Sequence, residues 1–368
     1  HCHLAIRGIS EMDIKFARET SGKGKGGIMI NRIKEKIDEK TYLLIITILM
    51  FIAMYGAGMI IFADKGFAKP QMFLNLFVNN AGLIVTAVGM TMVMITGGID
   101  ISVGSVIGLT CMMLAYMMEF MNVPAFLAIL IVLVFGILFG SVQGFLIAYL
   151  KEQPFIVTLA GMFFCRGLTA VISSDMINIS NATFLKIAQA KIYFPFLATV
   201  NKKGKVITPF IYPSVVIALI VLVVIYLVLK YTKFGRAIYA VGGNQQSALL
   251  MGLNVRSTKM KTYVLNGFLA SLGGVLFALN TCAGFVEQGR GFEMEAIASA
   301  VIGGTLLTGG VGNVIGSLFG VLIKGTIESF ITTQGTLSSW WTRIVISLLL
   351  AFFIVLQSIF ASIKSKNR

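Results

Sequence analysis

Long uncharged runs of hydrophobic residues, separated by short polar segments, dominate this chain. The runs cover residues 41–63, 72–99, 101–118, 120–150, 206–229, 262–286, 296–323 and 344–363. A helix needs about 20 apolar residues to cross the hydrocarbon core of a bilayer, and most of these runs reach that length. They do not alternate with the two-residue period of a barrel strand. The pattern therefore predicts a polytopic membrane protein built from helices.

Splitting the runs at proline and glycine divides them into individual spans. The predicted spans are 41–63, 74–96, 102–121, 124–149, 154–173, 210–229, 262–283, 296–309, 311–334 and 341–363. The eighth is short enough to be re-entrant, because it does not fill the thickness of a bilayer. We expect an all-α bundle of about ten spans with broken or re-entrant helices.

Composition and charge agree with a membrane location. Hydrophobic residues make up 57% of the chain and charged residues 12%, about half the charged share of a soluble domain. The net charge of +15 is concentrated in the loops and termini, so the positive-inside rule explains it better than nucleic-acid binding does. Segment 230–261 is basic and contains no acid. We expect this segment and both termini on the cytoplasmic side of the membrane.

Two regions do not fit this scheme simply. Loop 174–209 carries five lysines, although the five predicted crossings before it place it outside the cell. Residues 1–28 are polar, begin with His and precede Met29. We expect translation to start at Met29, with residues 1–28 as upstream sequence and 29–368 as the transmembrane domain.

A short repeat suggests an internal duplication. Residues 96–108 (TGGIDISVGSVIG) align without gaps on residues 308–320 (TGGVGNVIGSLFG). Chance matches between glycines of membrane helices are the alternative explanation. Duplication would make 41–229 and 262–363 the two halves, joined by 230–261, an organisation that many transporters share.

Segment 230–261 is predicted to hold a short helix. Asn244 can begin it and Gly252 can end it. Ala248, Leu249 and Met251 give this helix a small apolar face. That face packs either against the chain's own spans or against a partner protein.

Several motifs resemble a known family. GGIDISVG at 97–104, FGRAIYAVGGN at 234–244, the pattern from Ala248 to Val255, and the glycines from Gly303 to Gly312 resemble permease subunits of bacterial ABC importers for ribose, xylose, galactose and autoinducer-2. Segments 158–167, 301–307 and 335–342 look most like the galactofuranose permease subunit. The resemblance runs in order from about Met29 to the carboxyl end.

The resemblance implies a transporter subunit that works with partners. A second permease subunit, identical or different, would complete the pathway through the bilayer, and a periplasmic or lipid-anchored binding protein would deliver the monosaccharide. A partner with tandem ATPase domains would use ATP and Mg²⁺, so this chain would bind no cofactor. Segment 230–261 would contain the helix that couples to the ATPase. The implied coupling residues are Gly242, Gly243, Asn244, Gln246, Ala248, Gly252 and Asn254.

One departure from the family affects this coupling segment. The family signature Glu-Ala-Ala-x3-Gly appears here with Gln246 at the acidic position, while Ala248 and Gly252 are kept. A specific salt bridge to the ATPase at that position is therefore in doubt, whereas docking by shape is not.

The residues themselves favour a transporter over an enzyme. The chain contains no Walker sequence Gly-x4-Gly-Lys-Ser/Thr and no His-Glu-x-x-His. The four cysteines have no metal-ligand spacing, and both histidines lie in the first three residues. We therefore predict no catalytic site and no metal site.

Asp100 has two interpretations. In the structural one, Gly97 and Gly98 end a helix, and Asp100 or Ser102 caps the next helix. In the functional one, the helix break lines the pathway and the carboxylate accepts sugar hydroxyls. Gly312 stands where the repeat would place a second carboxylate, so a symmetric sugar clamp is not expected.

Other polar residues within the spans are further pathway candidates. Arg166 lies deep in its span, where it either faces the bundle interior or extends toward the outer surface. Single amides and hydroxyls in spans contact a solute or tie helices together. The remaining pathway candidates are Asn79, Gln143, Thr158 and Asn266. The candidate gate glycines, which also suit close packing, are Gly97, Gly98, Gly303, Gly304, Gly309 and Gly310.

Three other functions stay open on sequence grounds. An ion-driven secondary transporter would act alone and should carry functional acids within its spans, of which Asp100 is the best candidate. A branched-chain amino acid permease is a more distant alternative within the importers. A signalling or scaffold protein would use segment 230–261 for docking and transport nothing.

Overall fold

The computed structural model describes residues 39–200, 206–335, 338 and 340–366. The proposed leader, 1–28, lies outside them. The chain divides into two units, residues 1–43 and 44–368, and the contacts below all belong to the second.

Thirteen α-helices occur in the described residues. They are α1 (Glu39–Ile61), α2 (Pro70–Ile95), α3 (Val103–Glu119), α4 (Ala125–Ala148), α5 (Pro154–Ile172), α6 (Ala182–Gln189), α7 (Pro213–Tyr231), α8 (Lys233–Gly243), α9 (Gln245–Leu250), α10 (Val255–Thr281), α11 (Phe292–Ile302), α12 (Val314–Gln334) and α13 (Trp340–Lys366). Proline opens three of the long helices, α2, α5 and α7, where its missing N–H costs no intrahelical bond. The predicted all-helical membrane fold is confirmed.

Short antiparallel strand pairs lie in the loops. β1 (Ile177–Asn178) pairs with β6 (Ala283–Gly284), β2 (Ile192–Tyr193) with β5 (Phe210–Ile211), and β3 (Thr199–Val200) with β4 (Val206–Ile207). In the first pair, Ile177 lies opposite Gly284. The loop after α5 is thereby joined to the loop after α10.

Seven helices in the described residues are long and apolar enough to cross a membrane: α1, α2, α4, α5, α7, α10 and α12. α3 is shorter, as is the apolar part of α13, Arg343–Val355. The predicted span 296–309 becomes α11, which has 11 residues and ends at Ile302. At 1.5 Å per residue it covers roughly 16 Å, about half of the hydrocarbon thickness. α11 therefore cannot cross a bilayer by itself.

α10 is the helix around which the bundle packs. A Cβ placed on Gly140 of α4 would lie 2.5 Å from the carbonyl oxygen of Tyr263, and one on Gly267 would overlap the carbonyl oxygen of Gly136. On another face, a Cβ on Gly82 of α2 would lie 2.8 Å from the carbonyl oxygen of Gly273. Without Cβ atoms the helix backbones approach closely, which is the usual basis of helix packing in membranes.

The loop contacts define two ends of the bundle. At one end, Gln71 at the start of α2 accepts from the Phe210 N–H at 2.9 Å, and Glu119 at the end of α3 accepts from the Ser180 N–H at 2.7 Å. We call this the strand end, because it also holds β1 to β6. α2 runs away from it and finishes beside α8. Segment 230–261 and loop 174–209 therefore lie at opposite ends, as a single crossing by α7 between them requires.

Candidate functional site

Two breaks between helices face each other inside the bundle. Break 1 (residues 96–102) separates α2 from α3, and break 2 (residues 303–313) separates α11 from α12. The Gly310 N–H donates to the Ile95 carbonyl oxygen at 2.8 Å, so the end of α2, where break 1 begins, is hydrogen-bonded to break 2. Gly97, Gly309 and Gly310 have φ of +79°, +87° and +77°, a backbone conformation that other residues rarely adopt. The glycines that the repeat aligns are thus placed side by side.

The other predicted gate glycines pack closely as well. Gly304 has φ of +90°, and a Cβ on Gly303 would overlap the backbone of Gly316 at the start of α12. A Cβ on Gly98 would overlap the hydroxyl of Tyr263 on α10. Close packing therefore accounts for Gly98 and Gly303 in this conformation.

The end of α8 reaches both breaks. A Cβ on Gly242 would overlap the Ile95 carbonyl oxygen and lie 2.7 Å from the Gly310 nitrogen. A Cβ on Gly309 would lie 3.0 Å from the Gly242 carbonyl oxygen. We call Gly97, Gly242, Gly309 and Gly310 the glycine junction, since the three segments that carry them meet there.

Tyr239, one turn earlier in α8, adds a hydrogen bond to this arrangement. Its hydroxyl donates to the Gly312 carbonyl oxygen of break 2 at 2.8 Å. Burial raises the pKa of Tyr239 to about 12, so the phenol keeps its proton and remains a donor at neutral pH. α8 is therefore held to break 2 by a side chain as well as by backbone packing.

The predicted helix after Asn244 is confirmed as α9. The Asn244 side chain accepts from the Ser247 N–H at 2.9 Å, and the Asn254 side chain accepts from the Ser257 N–H at 3.0 Å and so opens α10. Gly252 has φ of +78° and ends the turn between α9 and α10. Gln246, at the family's acidic position, is exposed.

The apolar face predicted for α9 is divided in two. Ala248 is fully buried and packs with Val241 and Val255, so it contacts the chain itself. Leu250 is 88% exposed, and Leu249 and Met251 also point outward. Ala248 therefore packs against the chain itself, whereas contact of the exposed residues with a partner protein stays a prediction.

Break 1 also carries a buried set of polar side chains. Asp100 accepts from the Ser102 N–H at 2.9 Å, from the Ser102 hydroxyl at 2.6 Å and from the Asn266 amide at 2.7 Å. The Gln143 amide donates to the Ser102 hydroxyl at 3.0 Å. We call these four residues the polar cluster. It joins break 1 to α4 and α10, and its four residues are at most 3% exposed.

The capping role predicted for Asp100 and Ser102 takes a different form. Ser102 immediately precedes α3, but its side chain forms no hydrogen bond to the N–H groups of that helix. Asp100 instead accepts from Ser102 itself and so stabilises the turn that leads into α3.

Comparison with known proteins places the chain in a family. The family described as "Branched-chain amino acid transport system / permease component" matches residues 72–354, which include both breaks and α9. The chain belongs to this permease family.

Individual relatives of the permease align over most of their length. The inner membrane ABC transporter permease protein YjfF of Escherichia coli K12 is 44% identical over 293 residues, 79% of this chain and 85% of that protein. The fructose import permease protein FruG of Bifidobacterium longum is 36% identical over 326 residues, 88% of this chain and 92% of that protein. The ribose import permease protein RbsC of Escherichia coli K12 is 36% identical over 261 residues, 71% and 77% of the two chains. No solved structure matches the permease.

The remaining pathway candidates of the permease separate in the structure. The Thr158 hydroxyl lies 3.4 Å from the Ile99 carbonyl oxygen, so α5 also contacts break 1. Arg166, whose side chain is 24% exposed, pairs with Glu293 of α11 at 3.3 Å. It therefore faces the bundle rather than extending to the surface. Asn79 is exposed on α2, away from the polar cluster.

A second group of charges lies between α11 and α12. The Lys324 ammonium is 2.8 Å from Glu328, as their four-residue spacing predicts, and 3.2 Å from Glu295. The Asn80 side-chain oxygen accepts from it at 3.4 Å. Glu293 and Glu295 are not among the residues predicted from the sequence. Both acids lie directly before an apolar run. Charges inside a bundle are costly unless paired, so this position could have indicated that Glu293 and Glu295 form ion pairs.

These contacts give the half-length helix α11 a defined position in the permease. One ion pair, Arg166–Glu293, holds it to α5, and a second, Lys324–Glu295, holds it to α12. Break 2 follows directly and meets the glycine junction.

Proposed function

We propose that this permease is the transmembrane subunit of an ATP-driven ABC importer that moves a monosaccharide, of the galactofuranose, galactose or ribose type, across the bacterial cytoplasmic membrane. The observation that carries the proposal is α9, which presents exposed Leu249, Leu250 and Met251 next to a glycine junction that reaches both breaks. The names of relatives, which include fructose and ribose import permeases, support the class of solute.

The proposal requires partners. Two permease subunits, identical or different, would enclose the path, and a tandem ATPase would bind Mg-ATP and dock on α9. A binding protein would deliver the sugar at the strand end. The basic residues around 230–261 support a cytoplasmic position for α9 and for both termini.

The mechanism follows from the contacts of the breaks. Closure of the ATPases would displace α9, and the breaks would then alter which end of the path is open. The polar cluster is buried in this conformation. Separation of break 1 from α4 and α10 would expose its carboxylate, amide and hydroxyl groups, which can exchange hydrogen bonds with sugar hydroxyls. Thr158 and Arg166 on α5 flank the same region.

Uptake by the complete complex tests the function. The permease would be produced with its partner ATPase and binding protein and placed in liposomes. Labelled galactofuranose, galactose, ribose, xylose and fructose would be offered in turn. We expect ATP-dependent uptake of one of these sugars. Uptake by the permease alone, driven by an ion gradient, would show a secondary transporter instead.

A second candidate solute follows from the family's description. Labelled leucine in the same liposomes tests a branched-chain amino acid permease. ATP-dependent accumulation of leucine, with no accumulation of any of the sugars, would replace the sugar assignment while leaving the ABC permease assignment in place.

The docking role of α9 has its own test. Leu250→Asp with Met251→Asp should lower co-purification of the ATPase about tenfold or more, because a charge would replace each of two exposed apolar contacts. Phe196→Asp is the control, since Phe196 is 79% exposed at the strand end. Equal ATPase recovery with the double variant and with the control would exclude α9 as the docking site.

A further inference from the structure

Gly242 occupies a slot that leaves no room for a side chain. Its Cα faces the last carbonyl of α2, at Ile95, and the N–H of Gly310 in break 2. Those two groups are hydrogen-bonded to each other at 2.8 Å. Gly242 therefore contacts the end of α2 and break 2 at the point where they are joined.

The neighbouring glycine is different. Among the described residues, no atom beyond the immediate chain neighbours lies within 4 Å of a Cβ built on Gly243. The backbone of Gly243 packs against Gly310, but its side-chain position is open. A side chain at Gly242 would therefore clash, whereas one at Gly243 would not. The two adjacent glycines form a matched pair for substitution.

The contacts between α8 and α9 join them into one unit. Asn244 directly follows Gly243; its N–H donates to the Ala240 carbonyl oxygen of α8 at 3.2 Å, and its side chain caps α9. Buried Ala248 of α9 packs against Val241 of α8. A force on α9 is therefore transmitted to Gly242 without an intervening flexible segment.

Tyr239 gives the same unit a second attachment. Its hydroxyl donates to the carbonyl oxygen of Gly312, which follows Gly309 and Gly310 in break 2. Break 2 is thus held at two points by α8, and break 1 begins immediately after Ile95.

We propose that α8 and α9 form a single lever that acts on both breaks at once, with Gly242 and Tyr239 as its positioning residues. This rests on the proposed function and adds to it which residues carry the movement. Break 1 leads directly to Asp100, so the lever also reaches the polar cluster. The Ile95–Gly310 hydrogen bond joins break 2 to the end of α2, where break 1 begins. The two breaks therefore move together rather than in succession.

Substitutions at the lever test this in the complete complex in liposomes. Gly242→Ala should lower ATP-dependent sugar uptake about tenfold or more while the ATPase still binds and hydrolyses ATP, because α9 stays exposed. Gly243→Ala should lower uptake far less. Gly56→Ala, on α1 with no atom of the described residues within 4 Å of its Cβ, should leave uptake unchanged.

Tyr239→Phe keeps the test decisive if Gly242→Ala does not fold. It removes only the hydroxyl that reaches Gly312, and we expect uptake to fall about two- to fivefold at unchanged expression. Unchanged uptake per ATP hydrolysed in Tyr239→Phe, or equal losses in Gly242→Ala and Gly243→Ala, would overturn the lever.

Distance measurements separate this proposal from the proposed function. Spin labels would be placed at Met121, at the end of α3, and at either Leu250 or Thr308, all of which are exposed. On addition of ATP and vanadate, both distances should change in the native background. In Gly242→Ala only the Met121–Leu250 distance should change.

The outcomes differ in what they reject. A Met121–Thr308 distance that still changes in Gly242→Ala would reject the lever alone, because α9 would then act on the breaks by another route. If the Met121–Leu250 distance in the native complex does not change on addition of ATP and vanadate, ATPase coupling through α9 is rejected. The lever is then rejected as well.

Discussion

Asp100 is stabilised by donors rather than by a cation. Three hydrogen bonds reach its carboxylate, from the Ser102 N–H, the Ser102 hydroxyl and the Asn266 amide. Hydrogen bonds to a buried polar group offset part of the cost of removing it from water. In this conformation the carboxylate therefore serves the structure of break 1, whatever contact it makes when the path opens.

Removal of the carboxylate should be costly. We expect Asp100→Ala to lower the free energy of unfolding by about 3 kcal/mol, because the buried donors of Ser102 and Asn266 lose their acceptor. Asn79→Ala should change it by less than about 0.5 kcal/mol, since Asn79 is exposed. Denaturant-induced unfolding of the purified permease measures both. Equal stability of the two variants would show that the polar cluster contributes nothing to the fold.

Among the elements, α10 and α11 differ most from their predicted boundaries. The sequence predicts a span at 262–283, but the helix begins at Val255. The predicted boundary lies where the uncharged run begins, just after two lysines. A helix can nevertheless include such lysines, because their long side chains reach water. α11 differs in the other direction, because Gly303 and the left-handed Gly304 end it before the predicted limit at residue 309.

The glycine face of α10 gives a prediction at this scale. Gly267→Ala should destabilise the permease by about 2 kcal/mol, because the added methyl overlaps the Gly136 carbonyl oxygen. Gly167→Ala on α5 should be neutral or stabilising by about 0.5 kcal/mol, since its Cβ position is open among the described residues and alanine favours a helix. Thermal unfolding in detergent compares them. A Gly267→Ala variant as stable as Gly167→Ala would argue against the close α4–α10 packing.

At the scale of the whole molecule, the distribution of loops between the two ends decides the topology. The loops of the strand end are joined by the β1–β6 strand pair and by the hydrogen bonds that Gln71 and Glu119 accept. α8 lies at the opposite end, with Gly242 beside the last residue of α2, and α9 directly follows it. The lysines of loop 174–209 are therefore across the bundle from the basic segment 230–261.

Cysteine labelling measures this topology in intact cells. Leu250→Cys should react with a membrane-impermeant thiol reagent only after the cells are opened, and Phe196→Cys should react from outside. Both positions are exposed, so reactivity reports the side of the membrane. Cys282 would be replaced by serine to remove background, since Cys111 and Cys165 are buried. Reaction of both variants from the same side would reject ten crossings.

The sequence by itself determined the membrane bundle, the short helix α9 and the position of break 1. These depend on local properties: the length of apolar runs, the capping preference of Asn244 and the conformational freedom of glycine. The Lys324–Glu328 pair was also predictable, because a four-residue spacing fixes a shared helix face.

Only the tertiary structure decided which distant residues meet. Asp100 and Asn266 are 166 positions apart, and Arg166 and Glu293 are 127 apart. Tyr239, an ordinary aromatic residue in the sequence, proved to bind break 2. Gly242 and Gly243 look equivalent along the chain, yet the side-chain position of one is filled and that of the other is open. Such differences arise from the packing of helices that are remote in sequence, and no local pattern encodes them.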